Sequence, residues 1–124
     1  MENKFQSFEE LIIWKESMQL CFDIYAALKT SKEFGLKDQI QRSAVSVPSN
    51  IAEGFERETD KEFIRFLSIA KGSCGELRTQ LYIGKELKTI EEGLCLMFID
   101  RAKKNSSMIQ NLITHKKEKL SGKR

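Results

Sequence analysis

Histidine occurs once in the 124 residues, as His115, and proline once, as Pro48. A single imidazole lying among lysines leaves no Ser-His-Asp or Cys-His set to build on. It also leaves no Glu-x-x-His pair, which the di-iron centres of helical bundles require. The three cysteines, Cys21, Cys74 and Cys95, are far apart and have no metal-ligand spacing. Their odd number and apolar neighbours predict buried, reduced thiols in a cytosolic protein. There is no period-two alternation of the kind strands show, and so no glycine-rich phosphate loop following a strand. No apolar run approaches a membrane span, and Met1-Glu2-Asn3-Lys4 lacks the apolar stretch of a signal peptide. These absences predict a cytoplasmic, non-enzymatic protein with no cofactor, no metal and no membrane partner. Catalysis by carboxylates alone is the remaining enzymatic alternative, and nothing points to it.

What is present is an ordinary soluble composition, 40% hydrophobic and 31% charged, in a chain long enough for one domain with its own core. The formal charge of +3 is unevenly placed. From Thr114 to Arg124 there are five basic residues, Lys116, Lys117, Lys119, Lys123 and Arg124, against one acid, Glu118. The body is therefore nearly neutral and the end basic. A neutral body argues against a dedicated duplex-DNA binder. The basic end, expected to fray from about residue 114, is either a weak contact for nucleic acid or a solvated helix end whose lysines oppose the helix dipole.

Four helices are legible from their starts and stops. Ser7 and Glu10 form a capping box ahead of Leu11, Trp14, Met18, Cys21, Tyr25 and Leu28, spaced by three and four, with Ile13, Leu20, Ile24 and Ala27 widening the stripe. This helix ends near Thr30. The second runs from about Leu36 to Phe55 along Leu36, Ile40, Ala44, Val47, Ile51 and Phe55, and Gly54 marks its end. Pro48 inside it predicts a kink, or else two helices broken near Ser46. Thr59 and Glu62 cap the third, in which Phe63, Leu67, Ala70, Cys74, Leu77, Leu81 and Gly84 repeat as a heptad seam. Gly72 and Gly75 within it predict either close approach of a neighbouring helix or a local break. Thr89 and Glu92 cap the fourth, which continues through Leu94, Phe98, Ala102, Ile109 and Leu112 towards Leu120. Short connections make successive helices antiparallel, so the expected fold is an all-α, up-and-down four-helix bundle in a single domain spanning 1–124.

A row of polar residues crosses positions otherwise suited to burial. The second helix carries Gln39, Arg42, Ser46, Asn50 and Glu53 at helical spacing, and the third carries Ser73, Glu76 and Gln80. Buried polar groups must find partners. The row is either a hydrogen-bonded network fixing register between helices or subunits, or a binding cleft.

The stretch Phe34-Gly35-Leu36-Lys37-Asp38-Gln39-Ile40-Gln41-Arg42-Ser43-Ala44-Val45-Ser46-Val47-Pro48-Ser49-Asn50-Ile51-Ala52-Glu53-Gly54 resembles the most typical motif of a known family. Phe66-Leu67, Gly72-Ser73, Glu76-Leu77 and Thr79-Gln80 resemble its second motif, and Phe8, Leu11 and Trp14 its start. The chain, over roughly residues 5–115, is similar to the four-helix bundle proteins encoded in intervening sequences of bacterial 23S ribosomal RNA genes, often labelled ribosomal proteins. The resemblance implies a bacterial, cytoplasmic protein that assembles as a ring-like homopentamer. It also implies kinship with the accessory proteins of diversity-generating retroelements, which bind nucleic acid and a reverse transcriptase. Arg42, Asn50, Glu53, Ser73, Glu76 and Gln80 fall within the two motifs. Gln41-Arg42 stands where many members have two basic residues, which weakens the implied nucleic-acid contact, and Gly84 stands where alanine is common. The expectation is a non-catalytic homo-oligomeric scaffold that contacts RNA or a ribonucleoprotein. The alternative is an oligomer that binds protein only.

Overall fold

In the computed structural model, which describes residues 5–122, the helices are α1 (Ile12–Leu28), α2 (Phe34–Phe55), α3 (Asp60–Glu86) and α4 (Glu92–Leu120). They form an antiparallel four-helix bundle, and no strand occurs among the described residues. Cross-helix contacts fix the register. Ser46 meets Ser73 and Lys71 meets Gln110, while Asp23 on α1 meets Arg101 on α4.

The helix starts differ in detail from the sequence reading. Ser7 makes no side-chain cap; a single 3-10 turn, Phe8–Glu10, precedes an extended Leu11, and α1 begins only at Ile12. Glu10 accepts instead from the backbone N–H of Gln6 at 3.4 Å. At α3, Thr59 Oγ1 accepts from the N–H of Glu62 at 3.1 Å, as expected, but the Glu62 carboxylate turns to Arg57. At α4 the cap is Glu91, which accepts from the N–H groups of Gly93 and Leu94. Thr89 belongs to the preceding turn. Its N–H reaches the carbonyl of Gly84 at 2.8 Å, and the N–H of Lys88 reaches that of Lys85. This is a Schellman stop, and Lys88 holds its left-handed position at φ 60°.

The core falls into two clusters along the bundle. One gathers Leu20, Ile24, Leu28, Ile40, Leu77, Leu81 and Phe98, the other Leu11, Val47, Ile51, Phe63, Leu67 and Ile109. Every residue of the α3 heptad seam is buried. At mid-bundle Ser17 and Asn105 are buried between the clusters, and Ser17 is satisfied by donating to the carbonyl of Trp14. α1 is rotated from the expected orientation. Its buried line is Ile13, Ser17, Leu20, Cys21, Ile24 and Leu28, whereas Trp14 and Met18 are half-buried and Tyr25 is exposed.

The glycines also sort differently. Gly72 and Gly75 have open space where a Cβ would stand, and α3 runs through them unbroken. The close approach is at Gly54, where an added Cβ would lie 2.7 Å from Phe66 Cβ. Gly54 lies one residue before the end of α2, as expected, and is also where α3 comes near. α2 also continues unbroken through Pro48, so the two-helix alternative does not hold.

Candidate functional site

The polar row separates into a connected centre and unconnected ends. Ser46 and Ser73 hydroxyls lie 2.7 Å apart across α2 and α3. The Asn50 amide donates to the Ser46 carbonyl at 2.9 Å and to Ser46 Oγ at 3.0 Å. Ser46 Oγ can therefore accept from Asn50 while donating to Ser73, which gives both hydroxyls and the Asn50 NH2 a partner. No acid or imidazole joins this chain of hydrogen bonds among the described residues, so neither hydroxyl has a base to activate it. Chemically it is a neutral clip between two helices.

The remaining members are dispersed. Arg42 pairs with Asp38 one turn away, in an exposed contact. That carboxylate holds the Arg42 guanidinium above its ordinary pKa. Glu53 lies 3.9 Å from Arg57, also at the surface. Glu76 is exposed. Gln80 is partly buried, and its Oε1 is buried without a hydrogen-bond partner.

The basic end is built into the fold more firmly than expected. α4 is helical to Leu120. Lys116 is buried, lies 3.4 Å from Asp60 at the start of α3 and sits 5.6 Å from the centre of the Phe63 ring. Lys119 approaches the other oxygen of Asp60 at 3.9 Å. Two of the five cations are thereby engaged within the bundle, Lys117 is exposed, and Lys123 and Arg124 lie outside the described residues.

One recess was not anticipated from the sequence. A groove of about 440 Å³ runs between α1 and α2, lined by Trp14, Met18, Phe22, Tyr25, Val45 and Pro48 among others. Phe22 is 57% exposed, Tyr25 43% and Val45 41%. The signal was present as the Trp14-Met18-Cys21-Tyr25 line, but periodicity alone assigned that line to the core. Cys21 lines the same groove, and burial raises its thiol pKa. Burial pushes Cys74 up to about 11, partly opposed by Arg78, and raises Cys95 as well. None of the three is poised as a thiolate nucleophile.

Among the described residues no cluster of three or more His, Cys, Asp or Glu side chains comes together as metal ligands, and no helix is long and apolar enough to cross a membrane.

Charge divides the bundle into halves. Residues 5–59, with α1 and α2, carry nine acids and six bases; residues 60–122, with α3 and α4, carry eight acids and twelve bases.

Three comparisons bear on this architecture. The family model described as 23S rRNA-intervening sequence protein matches residues 9–111. The chain is similar in fold to a crystal structure of a protein of unknown function from the S23 ribosomal protein family of Bacteroides thetaiotaomicron. The two share 21% identity with a TM-score of 0.77 over 82% of this chain and 98% of the other. No curated protein matches the chain.

Proposed function

The chain belongs to the 23S rRNA-intervening sequence protein family, and from that premise we propose that it is a non-catalytic, cytoplasmic homo-oligomeric scaffold that contacts RNA or a ribonucleoprotein. The observation that carries this reading is the apolar groove between α1 and α2. Its rims expose Phe22, Tyr25 and Val45 on one continuous surface, which is costly in water and typical of a protein contact. The occupant is a second copy of the chain. The groove lies on the acidic half of the bundle, and the opposite half is basic. That basic half also exposes Tyr82, Ile83, Leu87, Leu96 and Met97 around the α3–α4 turn. Apolar surface on both halves suits a head-to-tail contact, which closes into a ring when the rotation permits. The resemblance to the family favours five subunits. The RNA or ribonucleoprotein partner is supported by the family's name and by the surplus of cations on α3 and α4.

Light scattering of the full chain at micromolar concentration tests the assembly. A multimer is expected, and Val45→Glu together with Phe22→Glu should dissociate it while leaving the helix content intact. A monomeric wild-type chain would overturn the scaffold reading. A multimer indifferent to both substitutions would move the interface elsewhere. An intact multimer that binds no RNA at low salt would favour the protein-only oligomer.

A further inference from the structure

The α3–α4 flank carries cations in a straight line. Lys71, Arg78 and Lys85 recur every seventh residue on α3, so they share one side of the helix and stand about 10 Å apart at 1.5 Å per residue. Two contacts place that side against α4. Lys71 Nζ donates to Gln110 Oε1 at 2.6 Å, and Lys85 lies 3.8 Å from Glu92. The antiparallel register set by those contacts puts Arg78 opposite the turn of α4 that holds Lys103. It also puts Lys117 opposite the first turns of α3. The strip thus runs from Lys117, past Lys71, Arg78 and Lys103, to Lys85, and covers about 30 Å of helix.

Most of this charge is left unneutralised. Among the described residues Lys71, Arg78, Lys103 and Lys117 make no ion pair with a carboxylate. Glu92 pairs with Lys85 at one end, and Asp100 is taken by Lys104 on the outward face of α4. Cations left in a row without carboxylate partners are free to attract an external anion. A linear row of evenly spaced cations fits a linear polyanion better than a point ligand.

We infer that the strip formed by Lys71, Arg78, Lys103 and Lys117 between α3 and α4 is the surface that binds the sugar-phosphate backbone of RNA. This inference deepens the scaffold reading and rests on its RNA partner. It moves the contact away from the last turn of α4, where Lys116 and Lys119 are occupied by Asp60. Phosphate contacts carry no sequence information, so binding through the strip is sequence-tolerant. In an oligomer the strips of several copies act on one RNA, because the first contact raises the effective concentration of the next.

The test is fluorescence anisotropy of a labelled structured RNA with the full chain at a series of salt concentrations. The double variant Arg78→Glu, Lys103→Glu should bind at least about tenfold more weakly and with a shallower salt dependence, since each lost phosphate contact removes nearly one from the slope. The neutral pair Arg78→Gln, Lys103→Gln should show a smaller loss in the same direction, and serves if the double Glu variant fails to fold. Lys15→Glu on α1 with Lys29→Glu just after it imposes the same change of net charge and should bind within about twofold of wild type, the reference against which the slope is read. Equal loss in the α1 control and the strip variant would overturn the assignment of the surface while leaving the RNA reading standing. Wild-type chain that binds no RNA at low salt would overturn both. Retention of an acidic protein by the strip in place of RNA would also reject the inference.

Discussion

Replacing Gly54 with alanine tests the packing of α2 on α3. The added Cβ would stand 2.7 Å from Phe66 Cβ and 3.3 Å from the carbonyl oxygen of Phe63, distances at which something must move. Phe66 Cβ is bonded directly to the α3 backbone, so rotating a side chain cannot relieve the first contact. The neighbourhood is already tied down: the Phe55 and Phe63 rings meet edge to face at 5.9 Å, and the Arg57 guanidinium lies 4.9 Å from the centre of the Phe66 ring. Overpacking of this kind costs about 1–3 kcal/mol. Alanine returns about 1 kcal/mol of helix propensity. The net loss is about 1 kcal/mol, a fall of about 4 °C in Tm for a chain of this size. Gly72→Ala and Gly75→Ala meet nothing within 4 Å and should each gain close to the full propensity term, about 1 kcal/mol. Thermal unfolding followed by far-UV circular dichroism, at one fixed protomer concentration, separates the three. An unchanged or raised midpoint for Gly54→Ala would refute the close approach. A lowered midpoint for Gly72→Ala or Gly75→Ala would show that their open face is covered from outside the chain.

Further outcomes follow from single contacts. Lys88 holds a left-handed backbone at φ 60°, so Lys88→Gly should raise stability by about 0.5–1 kcal/mol in a urea titration, and a loss would mean that the Schellman stop is not formed. Asp60→Ala should leave the buried Lys116 amine without its carboxylate; Asp60 is about one-third exposed, so the loss is about 1–2 kcal/mol in the same assay, and truncation after Thr114 should destabilise the bundle too. The Arg101 side chain donates to Asp23 at 2.7 Å and holds that carboxyl below its usual pKa. Its stabilisation is therefore present at neutral pH and lost as pH falls below about 4, so the stability gap between wild type and Asp23→Asn should close on acidification. Cys74 is buried with its thiol raised to about 11, so a thiol reagent at neutral pH should modify it only as fast as the bundle opens; rapid labelling of the native chain would contradict its burial.

The helix count, the antiparallel topology and the α3 core were determined by local information. Phe63 to Gly84 repeat with a period close to that of the helix, and any fold burying that stripe must place them inside. The Thr59 cap was legible for the same reason, since it acts within one turn. The central clip was half legible: helical spacing aligned Ser46 with Asn50 and proposed Ser73 as a partner, but which of eight polar positions actually meet depends on how α2 and α3 are rotated against each other. The tertiary structure alone decided the rest. A stripe that is apolar nearly all round α1 does not say which side faces the core. Packing against α2 and α4 put Ile13, Leu20 and Ile24 inward and left Trp14, Phe22 and Tyr25 around a groove. The glycine requirement behaves likewise: Gly54, Gly72 and Gly75 look alike in sequence, and only the distance between helix axes shows that one of them is needed. Lys116 and Lys119 read as a solvated basic end because their partner, Asp60, lies 56 residues from Lys116 along the chain. The cations of α3 and α4 join into one strip only when the two helices are laid side by side, because a surface charge pattern belongs to the packed pair and to neither helix alone.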